Sequence, residues 1–118
     1  MATLYFCRDI DNSQGLRAQH RAAHFTYIES IMDEVLIAGP VRPDDPATVT
    51  GSVFVYATDD PDQAQALLQA DPYVQAGIYA ACDSMPFLPA AGVWLGGGIW
   101  QEGTLGTDGS PSRSPEPS

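Results

Sequence analysis

Gly51-Ser52-Val53-Phe54-Val55-Tyr56-Ala57-Thr58, followed at once by Asp59-Asp60-Pro61-Asp62-Gln63, is the stretch on which the reading of the fold turns. Val53 to Tyr56 are strand formers in succession, and both sides of that strand are apolar: Val53 and Val55 on one, Phe54 and Tyr56 on the other. An antiparallel strand with one wet face would alternate with polar residues instead. Directly after it, Asp60 suits a helix N-cap, Pro61 the first helical position, and Gln63 the returning half of a capping-box-like pair. A strand buried on both faces therefore runs into a helix. That helix continues through the alanine-rich residues 64–68 to about Ala70 and stops at Asp71-Pro72, because the residue before a proline avoids the helical region.

Upstream, residues 16–35 carry a second helical pattern. At about 100° per residue, Leu16, His20, Ala23, His24, Tyr27, Ile28, Ile31 and Val35 fall on one stripe, with Gln19, Ala22, Thr26, Glu29 and Asp33 opposite. Both histidines of the chain therefore lie on the side expected to face the core or a pocket. Before this helix, residues 3–7 (Thr-Leu-Tyr-Phe-Cys) read as a strand and residues 9–15 as a polar turn. After it, Val35-Leu36-Ile37-Ala38 is a short strand stopped by Gly39-Pro40, and residues 42–50 form a surface loop. Downstream, residues 73–77 make one further turn and residues 78–87 the fourth strand, with Pro86 near its end.

The order β-α-β-β-α-β is the ferredoxin-like α+β plan, an antiparallel sheet with two helices on one face. Two helices cover one face only, while Leu4 and Phe6 alternate with Tyr5 and Cys7 just as Val53 and Val55 alternate with Phe54 and Tyr56. A second copy packed face to face is expected to bury the other side, making a homodimer. The glycine-broken run from Val93 to Trp100 is expected to be an extra strand or flap that packs its tryptophans on the body. From Gly103 the composition cannot support a core, so the expected organisation is one domain over residues 1–102 and a disordered tail over 103–118.

Fifteen acidic residues stand against five arginines and no lysine, a formal net charge of −10. Such a chain repels phosphate backbones, so nucleic acid is not an expected partner, and lysine-dependent Schiff bases or phosphate loops are excluded. No apolar run approaches the ~20 residues of a membrane span. Met1-Ala2-Thr3 leads straight into a strand without a basic leader, so the cytoplasm is the expected location. Cys7 and Cys82 lack CxxC spacing and read as reduced, buried thiols in neighbouring strands.

Several segments together resemble the YciI-like proteins of the dimeric α+β-barrel superfamily. They are Arg21-Ala22-Ala23-His24, Ala38-Gly39-Pro40, Gly51-Ser52, residues 70–79 (Ala-Asp-Pro-Tyr-Val-Gln-Ala-Gly-Ile-Tyr) and Met85-Pro86-Phe87, a resemblance spanning residues 3 to 88. It implies a dimeric α+β barrel with an active-site pair made by a histidine of the first helix and an aspartate after the second, here His24 and Asp71. Dehydrochlorination of a chlorinated hydroxyquinol ring is associated with the group, and the wider superfamily includes muconolactone isomerases and cofactor-independent monooxygenases. His20, the tryptophan-glycine run and the long tail depart from the pattern.

A carboxylate bonded to one imidazole nitrogen fixes the tautomer and leaves the other nitrogen to move a proton. The alternative for Asp71 is a turn residue bonding its own backbone before Tyr73. Arg21 and Ser52 are the candidates for holding substrate, against a surface ion pair for Arg21 and a strand-end hydroxyl for Ser52. His20 and His24 have the i, i+4 spacing of metal ligands, but with no glutamate between them and Arg21 alongside, no metal is expected. The reading is a cofactor-independent lyase or isomerase, dehydrochlorinase-like by resemblance, acting on a small cyclic or aromatic compound. The other reading is a non-catalytic module that holds a small ligand, or assists an enzyme, through the same cleft.

Overall fold

β1 (Ala2–Asp9), β2 (Val35–Val41), β3 (Gly51–Tyr56) and β4 (Tyr79–Phe87) form one antiparallel sheet in the order β2-β3-β1-β4. The computed structural model describes residues 1–45 and 47–100. The expectation for residues 103–118 lies outside the described residues. α1 (Gln14–Ser30) follows β1, α2 (Pro61–Gln69) follows β3, and a short α3 (Pro72–Gln75) precedes β4. This is the α+β arrangement expected from the strand and helix order.

The core shows why both helices share one face. Tyr5 and Cys7 of β1 and Phe54 and Tyr56 of β3 are buried against Ala64 and Leu68 of α2, with Ile28 of α1 and Ile31 packed onto them. Cross-strand partners Tyr5 and Phe54 stand side by side on this face. The opposite parity supplies the other face: Leu4 pairs with Val55 and Met85, Phe6 with Val53, and Ile37 with Val55. In the single chain Ile37, Met85 and Phe87 are exposed. The sheet is apolar on both faces as read, and among the described residues one apolar face has no helix on it.

Several details differ from the expectations. β2 does not stop at Gly39-Pro40 but runs to Val41, with Pro40 opposite Ser52. β2 is an edge strand, so the missing N–H of Pro40 removes no ladder bond that the sheet requires. The capping box at α2 is only half formed: Asp60 Oδ1 accepts from Asp62 N at 3.0 Å, whereas Gln63 Oε1 accepts from Thr58 Oγ1 at 2.9 Å instead of returning to Asp60. On α1, Ala23 is exposed and the buried residue is Arg17, a position outside the expected stripe. Finally, the tryptophans are not buried: Trp94 and Trp100 are 69% and 73% exposed, and Trp94 only borders a hollow with Ile37, Val41 and Val53 of the main sheet. The segment forms β5 (Ala91–Gly92) and β6 (Gly97–Gly98), which pair with each other and not with the main sheet.

Gly51 opens β3 because no side chain fits there: a Cβ would lie 2.5 Å from the Cys7 carbonyl oxygen. That close approach brings Ser52 under α1. Cys7 and Cys82 are register partners in the adjacent strands β1 and β4, both free; Cys7 is buried as expected, but Cys82 is exposed, not buried, because β4 is the edge strand of the sheet.

Candidate active site

Asp71 is placed by the way α2 gives way to α3. It is the N-cap of α3, where its Oδ1 accepts from Tyr73 N at 2.9 Å and Pro72 takes the first helical position. α3 ends after one turn at Gly77, whose φ of +79° suits a residue without Cβ. Gly77 N donates to Val74 O and Ile78 N to Tyr73 O, the paired bonds of a Schellman stop. α3 packs on α1, which brings Asp71 against the helix carrying His24.

The same Oδ1 of Asp71 lies 2.8 Å from His24 Nδ1. Asp71 is fully buried, and the His24 side chain is 13% exposed. His24 also stacks on Tyr73, with ring centroids 3.9 Å apart and planes 7° from parallel. The imidazole is therefore fixed in plane by a ring and in rotation by a carboxylate, which leaves Nε2 as the nitrogen not committed to Asp71. Tyr27, one turn further along α1, donates from its hydroxyl to Leu67 O at 2.6 Å and ties α1 to α2 beside the pair. Two buried polar atoms in this region, Asp71 Oδ2 and the Tyr56 hydroxyl, have no hydrogen-bond partner among the described residues. Burial, and then the charge of Asp71, hold the Tyr56 hydroxyl well above the usual tyrosine range.

Behind this pair lies a network that hydrophobic pattern does not reveal. Arg17 meets Asp9 through two bonds, Nε to Oδ2 at 2.6 Å and Nη2 to Oδ1 at 2.8 Å, with side chains only 7% and 3% exposed. Ser13 donates to the same carboxylate at 2.5 Å. Arg17 Nη2 also donates to Ser52 Oγ at 3.0 Å, and the Tyr79 hydroxyl bonds Ser52 Oγ at 2.9 Å. The guanidinium lies 5.1 Å from the Tyr73 ring and 5.7 Å from the Tyr79 ring. Burial alone would lower the pKa of Arg17, but its bonds to Asp9 and the neighbouring groups outweigh that and raise it. Burial pushes the Tyr79 hydroxyl up despite the opposing pull of Ser52 and Arg17. Tyr73 is thus held between two cation-capable groups, His24 and Arg17.

These side chains border a cavity of about 660 Å³ between α1 and the β2–β3 edge. His24, Arg17, Arg21, Ser52 and Tyr73 line it together with Phe25, Ile28, Phe54, Pro40 and Arg42. Asp71 does not; it sits behind His24. The volume falls within the range of small-molecule sites. Of the residues singled out in the sequence, His24 and Asp71 are bonded, and Arg21 and Ser52 share the cavity with His24. Ser52 is engaged by Arg17 and Tyr79, and the Arg21 side chain has no hydrogen bond or ion pair among the described residues. His20 does not line the cavity. Among the described residues no three histidine, cysteine or acidic side chains gather as a metal-binding group. Arg17, Asp9, Tyr73, Tyr79 and Arg42 are additions that the structure makes to the site.

The geometry has relatives. Residues 1–88 match the family described as the YCII-related domain. Protein YciI of Escherichia coli O6:H1 and Protein YciI of Shigella flexneri are each 35% identical to this chain over 94 residues, covering 74% of it and 96% of theirs. A solved structure of the 5-chloro-2-hydroxyhydroquinone dehydrochlorinase from Burkholderia phenoliruptrix, in complex with 2,5-dihydroxybenzoquinone, aligns with a TM-score of 0.69 at 25% identity. That alignment covers 78% of this chain and 96% of the other. The family match contains all four strands of the main sheet, the three α-helices, and both His24 and Asp71; this chain belongs to the YCII-related domain family.

Proposed function

We propose that the chain is a cofactor-independent lyase or isomerase in which His24, oriented by Asp71, moves a proton on a small cyclic or aromatic substrate. The observation that carries this is the 2.8 Å bond between His24 Nδ1 and a fully buried Asp71 that lies outside the cavity His24 lines. A histidine that served packing alone would not need its Nδ1 held by a carboxylate while its ring borders a ligand-sized cavity. In the proposed step Nε2 takes a proton from a carbon or hydroxyl of the ring. The electron pair left behind either expels a leaving group from a neighbouring atom, which is elimination, or moves the double bond so that the proton returns elsewhere, which is isomerisation. The imidazolium formed in between faces the Asp71 charge. Arg21 and Ser52 hold oxygen atoms of the ligand, with Ser52 kept in place by Arg17 and Tyr79. The dehydrochlorinase activity of the Burkholderia neighbour supports the elimination form. The same reading places the protein in the cytoplasm as a homodimer joined through the helix-free sheet face.

Chloride release from a panel of chlorinated hydroquinones tests it, with 2,5-dihydroxybenzoquinone as the binding probe. His24→Ala is expected to lower turnover by about 10²-fold or more with unchanged far-UV circular dichroism, and Asp71→Asn by about tenfold or more. If the unmodified protein binds the quinone yet neither releases chloride from any member nor exchanges ring protons with deuterated water, the cleft is a binding module. Turnover that survives His24→Ala would remove the histidine from the chemistry.

A further inference from the structure

Arginine is distributed unevenly in this chain. The net charge is −10 and lysine is absent, yet of the four arginines among the described residues, Arg8, Arg17, Arg21 and Arg42, three line the one cavity that holds His24. They are not equivalent. Arg17 is spent on Asp9 through two short bonds. The side chains of Arg21 and Arg42 have neither a hydrogen bond nor an ion pair with any described residue. Within the cavity wall the one acidic side chain is Glu29, eight residues along α1 from Arg21, which is about 12 Å at the helical rise.

The sheet register places the free arginines at the same end. Pro40 is opposite Ser52 and Val41 opposite Gly51, so Arg42 follows directly after the last pair of the β2–β3 ladder. Arg17 bonds Ser52 at that end, and Arg21 lies one turn further along α1. Towards the other end of α1 the wall turns apolar with Ile28 and Met32. The cavity therefore has a cationic head without a counter-charge and an apolar body, and His24 lies between Arg21 and Ile28 in the helix. Two unpaired guanidinium groups from different elements, in a protein that otherwise repels anions, match a planar two-oxygen acid.

We infer that the ligand of this site is a ring compound bearing a carboxylate, gripped by Arg21 and Arg42, with the ring lying along the apolar wall beside His24. The inference rests on the reading of this cavity as the substrate site, and it adds Arg42 and the charge of the ligand to that reading.

Calorimetric titration with matched pairs tests it: 2,5-dihydroxybenzoate against hydroquinone, and 4-hydroxybenzoate against 4-hydroxybenzamide. Each acid is expected to bind about tenfold or more tightly than its neutral partner, with the advantage shrinking between low salt and about 0.5 M. Arg21→Gln and Arg42→Gln should each remove most of that advantage, the acid losing several-fold more affinity than its neutral partner. Both are side chains without internal partners, so far-UV circular dichroism should be unchanged. Phenyl phosphate serves as the competing anion; if it outbinds both acids, the carboxylate assignment is wrong. The inference is also overturned if acids and neutral partners bind alike, or not at all, or if both arginine variants keep the preference. His24→Ala separates the two readings. Loss of turnover in that variant, alongside no acid preference in the unmodified protein, sinks the carboxylate and spares the proton-transfer pair.

Discussion

Removing Arg17 should cost more than removing any surface charge of this protein. In Arg17→Leu the Asp9 carboxylate, whose side chain is 3% exposed, keeps Ser13 as its hydrogen-bond donor and loses two short bonds from the guanidinium. Breaking one side of a buried pair in this way costs about 3–5 kcal/mol, because a charge remains buried without its partner. The bond to Ser52 and the ring contacts to Tyr73 and Tyr79 are lost as well. We take about 4 kcal/mol, a large share of the 5–15 kcal/mol that hold a typical domain together. For a domain of this size that corresponds to a fall in Tm of ~15–30 °C. Urea unfolding followed by far-UV circular dichroism measures it. Tryptophan fluorescence is the wrong probe, since Trp94 and Trp100 are already mostly exposed in the folded chain. The double variant Asp9→Asn/Arg17→Leu leaves no unpaired charge at this position and should recover ~1–3 kcal/mol of the loss. A single-variant cost below ~1 kcal/mol, or additive single effects, would refute the reasoning, because the pair would then be worth no more than an exposed one.

Two further outcomes are expected. Sedimentation at micromolar concentration should give twice the 12.6 kDa chain mass, and Val53→Asp, on the helix-free sheet face opposite Phe6, should return the chain to a monomer; an unmodified protein that sediments as a monomer contradicts the pairing. Thiol titration with an aromatic disulfide should find Cys82 fast and Cys7 unreactive until the chain unfolds, because burial, then the hydrogen bond to Cys82, push the Cys7 thiol far up; two equally fast thiols, or none in an unreduced sample, would be inconsistent with the register pair as described.

The strand content was legible because it is carried by apolar alternation: Val53 with Val55, and Phe54 with Tyr56, announce a sheet that is apolar on both faces. The wall of the site was legible only in part. Gln14, Arg17, Arg21, His24 and Ile28 recur at three- and four-residue steps and all line the cavity, so a helical period is present in them. They are mostly polar, however, and a search for an apolar stripe settles on a neighbouring set that includes Ala23 and omits Arg17. Arg17 is buried because Asp9 is there to receive it, at the point where the β1–β4 register shifts between Arg8 and Asp9. The extra residue of that shift, Ala80, lies on β4, while Asp9 continues the Tyr5–Cys7 alternation onto the helix-covered face; what the apolar pattern leaves out is that a carboxylate can stand there once an arginine meets it. Arg42 falls in a loop by every local rule, and its place at the cavity follows only from the ladder that ends at Val41. The tryptophans misled for the opposite reason: their size suggested burial, but β5 and β6 bond each other and not the main sheet, and both rings stay mostly exposed, Trp94 only bordering a hollow with Ile37, Val41 and Val53.

Asp71 shows how the fold and the candidate chemistry share one atom. A turn residue capping Tyr73 and a partner for His24 stand as alternatives when only the sequence is considered; in the structure Oδ1 accepts from both, at 2.9 Å and 2.8 Å. The cap fixes the carboxylate against the backbone of α3, and α3 is fixed against α1 by the stack of Tyr73 on His24. The rotation of the imidazole is therefore set by a helix start rather than by contacts with a ligand. A cap of this kind contributes about 1 kcal/mol to folding, and it does so whether or not the cavity is filled. Preorganisation of the histidine is in this sense a by-product of stopping α2 at a proline: the residue that must precede Pro72 in an extended conformation is the one whose side chain is turned back, towards His24.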